Sequence, residues 1–148
     1  MSFLPFNSYS HPYAEEDINL IRPLRSYSQQ IGILVSMLNW MRASVIRAVK
    51  DLTPADLDFL PDPEANTIGA LLLHLAPQML FQDLPFYNLK GFSENNKKKW
   101  GVAMGLGKEG RKQIKGNNLD YYLSALQQVR EKTLIEFKKR DDKWFGRL

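Results

Sequence analysis

Cysteine is absent from this 148-residue chain, and histidine occurs only at His11 and His74. Without thiols there is no disulfide framework, no thiolate metal site and no cysteine nucleophile, which fits a reducing, cytoplasmic setting. With two imidazoles, a multi-histidine centre at His74 requires the segment around His11 to fold over it. The apolar run Leu71 to Leu75 falls far short of the about 20 residues that span a bilayer, so no membrane association is expected. The opening Met1-Ser2-Phe3-Leu4-Pro5-Phe6 has neither the basic nor the apolar region of a signal peptide. No stretch alternates with period two for long enough to build a sheet, and no repeat or low-complexity tract is present.

What is present is an ordinary globular composition, 44% hydrophobic and 24% charged, in a length that suits one domain with a core. Residues 1–148 are therefore expected to form a single domain. Residues 1–24 are an irregular lead-in that drapes Phe3, Phe6, Tyr9 and Tyr13 over the body. The net charge is +4, and much of the excess sits in Lys97, Lys98, Lys99, Lys108, Arg111, Lys112 and Lys115. No nucleic-acid motif accompanies this cluster, so it reads as a solvated connector and nucleic acid is not an expected partner. Within it, Gly105-Leu106-Gly107-Lys108-Glu109-Gly110 fits the spacing of a dinucleotide loop but lacks the strand that must precede one. Glu109 also stands where a P-loop needs Ser or Thr. The stretch reads as a flexible break between helices.

Helical periodicity dominates the rest. Ile31, Leu34, Leu38, Met41, Val45, Ala48 and Leu52 recur at steps of three and four, which predicts a long helix over about Arg25 to Leu52 with these residues inward. Thr53 and Pro54 suit the cap and first position of a short helix, ended by Pro61 and Pro63. Asn66 or Thr67 caps a second long helix, with Ile68, Leu71, Leu72, Leu75 and Met79 as its inward stripe and a kink at Pro77. Residues 93–104 read as a short basic helix holding Trp100. Asn117 or Asn118 caps a third long helix, whose stripe is Leu119, Tyr122, Leu123, Leu126, Val129, Thr133 and Phe137.

His74 stands out on this background. An imidazole on an oily helix is hydrogen-bonded, metal-bound or exposed. Gln78 and Gln82, beyond it on the same helix, and Asn39 and Arg42 on the first helix are the polar groups expected to line any pocket. Arg42 suits an anionic ligand because a guanidinium forks carboxylates. Trp40, Trp100 and Tyr122 either pack the core or line that pocket.

Taken in order, several segments resemble the DinB-like (DinB/YfiT) family over about Gln29 to Phe145. They are Gln30-Ile31-Gly32, Met37-Leu38-Asn39-Trp40 followed by Arg42, Leu52-Thr53-Pro54-Ala55-Asp56-Leu57-Asp58, Asn66-Thr67-Ile68-Gly69 running to His74-Leu75-Ala76, and Tyr121-Tyr122-Leu123 leading to Val129-Arg130-Glu131-Lys132-Thr133-Leu134. The Asn66 to Ala76 segment is the most specific. The resemblance implies an all-α fold, an up-down helical bundle of four-helix type with a metal pocket between helices, and it places His74 at one ligand position. The family's other two ligands come from a C-terminal His-x-x-x-His segment that this chain does not contain. The fourth helix is thus expected to be missing or truncated. Pro77-Gln78-Met79 also stands where the family often has a glutamate. The wider superfamily includes metal-dependent thiol transferases and maleylpyruvate isomerase-like enzymes. The resemblance therefore implies an enzyme of thiol-transferase or hydrolase type that uses nickel, zinc or iron on a small molecule. The alternative is a metal-free bundle that binds a small molecule or a partner without catalysis. A homodimer is the expected assembly, because three broad apolar stripes without a fourth helix leave surface to cover.

Overall fold

The computed structural model describes residues 19–78 and 93–146. Every regular element among them is a helix: α1 (Gln29–Val49), α2 (Pro54–Asp58), α3 (Ile68–Gln78), α4 (Glu94–Gly105), α5 (Gly107–Gln113), α6 (Leu119–Lys138) and α7 (Asp142–Phe145). The all-α class is therefore as expected. None of these helices is long and apolar enough to cross a membrane. The described chain divides into two compact units, one from 19–48 with 140–146 and one from 49–78 with 93–139.

In the first unit the irregular segment before α1 is fastened to that helix by two small residues one turn apart. A Cβ on Gly32 would lie 2.6 Å from the Leu24 nitrogen, so only glycine lets the segment's backbone approach this closely. Ser36 Oγ accepts the Arg22 N–H at 3.3 Å and donates to the Leu20 carbonyl at 3.2 Å. These contacts rotate the buried face of α1 away from the expected stripe. Ile31, Val35, Ser36 and Asn39 are buried, whereas Leu34, Leu38 and Val45 are half-buried and Met41 is exposed. The stripe follows apolar side chains, but the face that must be covered is the one on which the segment's backbone docks. The helix also starts later and ends earlier than expected, and Asp142 of α7 closes its first turn. The Asp142 Oδ1 accepts the Ser28 hydroxyl at 2.6 Å and the Gln30 N–H at 2.9 Å, where the N-terminal helix dipole favours a carboxylate. The Ser28 bond, followed by backbone N–H groups of Gln30, Ile31 and Gln29, holds this carboxyl below the ordinary aspartate range.

In the second unit, α3 packs on α6 and α4, α2 packs on α3, and α4 packs on α5. Its caps follow the local sequence. Thr53 and Asp56 form a reciprocal capping box on α2, with Pro54 in the first turn. Thr67 Oγ1 accepts the Ala70 N–H at 3.1 Å, and Asn118 Oδ1 accepts the Tyr121 N–H at 3.0 Å, so Thr67 and Asn118 cap α3 and α6. The α6 stripe is buried as expected, except that Leu126 is half-buried and Arg130 joins the buried set.

The inward face of α3 differs from the expected one. Ile68, Leu71 and Leu75 are exposed, while Thr67, Ala70, Leu72, Leu73, Ala76 and Pro77 are buried. The reason is steric. Tyr122 of α6 is fully buried against Gly69, where an added Cβ would meet its Oη at 2.6 Å and its Cζ at 2.7 Å. The small residues of α3, not its leucines, therefore set how closely α6 approaches. The helix runs on through Pro77 to Gln78, and Met79 and Pro85 lie outside the described residues. The expected flexible break after α4 is instead a one-residue joint. Leu106 takes φ 50° and ψ −141°, and α5 begins at Gly107 with φ 59°. That joint, with no strand before it among the described residues, gives the glycine-rich stretch no dinucleotide-loop context.

Candidate functional site

The joint between α4 and α5 creates the setting of His74. In an unbroken helix the Ala103 carbonyl would accept the Gly107 N–H four residues on. Here the chain turns at Leu106, and the Gly107 N–H donates to Asn66 Oδ1 at 3.0 Å. The Leu106 N–H still reaches the Val102 carbonyl at 3.0 Å, so Ala103 holds the first carbonyl of α4 to lose its helical donor. Ala103 is buried, and a buried carbonyl needs a partner. His74, half-buried on α3, supplies it through Nδ1 at 2.7 Å.

The direction of this bond is fixed by chemistry. A carbonyl only accepts, so Nδ1 carries the hydrogen and, in the neutral ring, the lone pair resides on Nε2. A backbone carbonyl on the far nitrogen is also the arrangement that orients metal-ligating imidazoles in general. The loop before α3 is secured to the same joint. Arg111 of α5 donates to the Glu64 carbonyl at 2.8 Å and the Ala65 carbonyl at 3.3 Å, and pairs with the Glu64 carboxylate at 3.1 Å.

As a metal centre the described residues are incomplete. Zinc sites take three or four protein ligands, and no group of three or more histidine, aspartate, glutamate or cysteine side chains suited to a metal occurs among the described residues. His74 fits the role of one ligand, and His11 lies outside the described residues. Of the expected pocket residues, Gln78 is the last residue of α3, described in backbone only, and Gln82 lies outside the described residues. Asn39 is buried and Arg42 half-buried on α1, in the other compact unit from His74. Among the aromatics, Trp100 and Tyr122 are buried and Trp40 is exposed. Trp100 also carries the Lys99 ammonium 4.6 Å above its ring.

A second polar cluster lies where α2 ends and α6 begins. Asp58 Oδ2 accepts the Gly116 N–H at 2.7 Å, while Asp58 Oδ1 is buried without a hydrogen bond among the described residues. The Tyr122 hydroxyl is likewise buried without one among the described residues. Burial raises the Tyr122 pKa; Asn117 opposes that, and the Asp58 carboxylate adds to it.

The residues that sequence reasoning missed are Ala103 and the true role of Asn66. Ala103 acts through its backbone, which no side-chain pattern reveals. The usable signal was the Gly105-Leu106-Gly107 break, which must orphan carbonyls at the end of the preceding helix. Compared with known proteins, the chain matches no family model and no curated protein.

Proposed function

We propose that this chain is a DinB-like helical-bundle protein, of the up-down four-helix type, that acts on a small molecule with a divalent metal to which His74 contributes one ligand through Nε2. The observation that carries this reading is the Nδ1–H bond to the Ala103 carbonyl, which directs the ring's lone pair to the outer nitrogen. Nickel, zinc or iron suits an imidazole donor. When bound, such an ion would supply an activated water or hold a thiol substrate as thiolate, the chemistry of hydrolases and thiol transferases. The ligand set would include residues other than the described ones. This chain's own contribution is orientation: α4 fixes the ring from behind, and Asn66 and Arg111 hold the joint that does so.

The test is elemental analysis of the purified protein beside His74→Ala. The reading expects about one divalent ion per chain in the wild type and its loss in the variant. Equal metal content in the two would remove it.

One observation favours a second reading, a metal-free binding bundle. The same His74 bond satisfies a buried carbonyl that the Leu106 turn has orphaned, and that role needs no ligand on Nε2. On this reading His74→Ala lowers thermal stability without changing metal content, and an apolar ligand, not a metal, raises the melting temperature.

A further inference from the structure

We propose that Asn66 is a positioning residue that sets the tautomer of His74 through the backbone of the joint between α4 and α5. Two donors compete for one carbonyl. Ala103 O has two natural donors: the Gly107 N–H, its helical partner four residues on, and His74 Nδ1–H. Asn66 Oδ1 removes the first by accepting the Gly107 N–H at 3.0 Å. The carbonyl is then left to the second, at 2.7 Å. Asn66 is held in place for this task from both sides. Thr67 after it caps α3, and the carbonyls of Glu64 and Ala65 before it are tied down by Arg111.

Removing the Asn66 acceptor strands the Gly107 N–H and leaves it free to turn back to Ala103 O. His74 Nδ1 then competes for the Ala103 carbonyl, and the proton moves toward Nε2, the site that a free neutral imidazole prefers. An Nε2–H ring has no lone pair on its outer nitrogen. Asn66 thereby controls whether His74 offers an acceptor or a donor there, and this use of Nε2 rests on the reading under Proposed function. The tautomer itself does not.

The experiment is two-dimensional proton–nitrogen NMR of the imidazole nitrogens in the full chain, stripped of metal, at a pH where the rings are neutral. His11→Ala assigns the His74 signals, since these are the two histidines of the chain. The wild type is expected to show a protonated-type shift at Nδ1 and an unprotonated-type shift at Nε2. Asn66→Ala is expected to lose that pattern, and Asn66→Asp, which retains an acceptor, to keep it. A wild-type ring protonated at Nε2 overturns the proposal, and this measurement stands even if Asn66→Ala does not fold. A folded Asn66→Ala protein with the wild-type pattern overturns it too, as does loss of the pattern in a folded Asn66→Asp protein. Because no metal is present, a correct tautomer with no metal uptake would fail the functional reading alone, and the reverse result would fail this one alone.

Discussion

Gly69→Ala tests the packing that positions α3. In an exposed helix this change would stabilise by up to about 1 kcal/mol through helix propensity. Here the new Cβ would lie 2.6 Å from Tyr122 Oη, 2.7 Å from Cζ and 3.1 Å from Cε2. Those are atoms of a rigid ring that is fully buried and has no room to swing away. Overpacking of this kind costs about 1–3 kcal/mol. The steric effect outweighs the propensity gain, and the net expectation is a loss of about 1–2 kcal/mol. For a chain of this size that is a fall of about 2–8 °C in Tm. Urea unfolding followed by circular dichroism should show a lower midpoint with an unchanged slope. Tyr122→Phe alone should be nearly neutral, because the hydroxyl it deletes is buried without a hydrogen bond among the described residues. Combining the two should recover part of the loss: the 2.6 Å contact goes and the 2.7 Å contact stays, giving a coupling of about 0.5 kcal/mol or more. A Gly69→Ala protein more stable than wild type, or strictly additive effects, would refute the contact between α3 and α6.

Asp142→Asn should flatten the acid limb of the stability curve. The folded pKa lies below the ordinary 3.8, so the Ser28 and backbone bonds stabilise the native state above that value. This contribution is lost as pH falls through the lower folded pKa. Wild type and variant should therefore differ at pH 7 and converge as the pH falls through the lowered folded pKa, and a gap that stays constant through acid unfolding would count against it. Gly116 has φ 74° and nothing within 4 Å of an added Cβ, so Gly116→Ala should cost about 1–2 kcal/mol through backbone strain alone. Gly116→Asn should cost less, because asparagine tolerates that region, and equal urea midpoints for the two variants would contradict the assignment.

The legible features were local ones. The Thr53 cap with Pro54 after it, the cap at Asn117 or Asn118 and the Leu119 to Phe137 stripe depend on residues within a turn or two of one another, and their spacing is written in the chain. The stripe on α6 was readable because polar residues mark its outer face. On α3 nearly every residue between Ile68 and Ala76 is apolar, so periodicity offers no preferred face. The choice fell to Gly69 and Tyr122, which meet only in the folded chain.

The candidate site divides in the same way. The sequence by itself determined that one imidazole sits in an apolar helix, that no cysteine of the given chain can help it, and that glycines loosen the chain between Gly105 and Gly110. Only the tertiary structure decided what that imidazole does with its Nδ1 hydrogen. Its partner is a backbone carbonyl 29 residues away, made available by an asparagine that takes the competing donor. Local propensity reports on bonds made within one helix; a bond that exists because another helix has lost its donor depends on where two helices meet, and that is a property of packing.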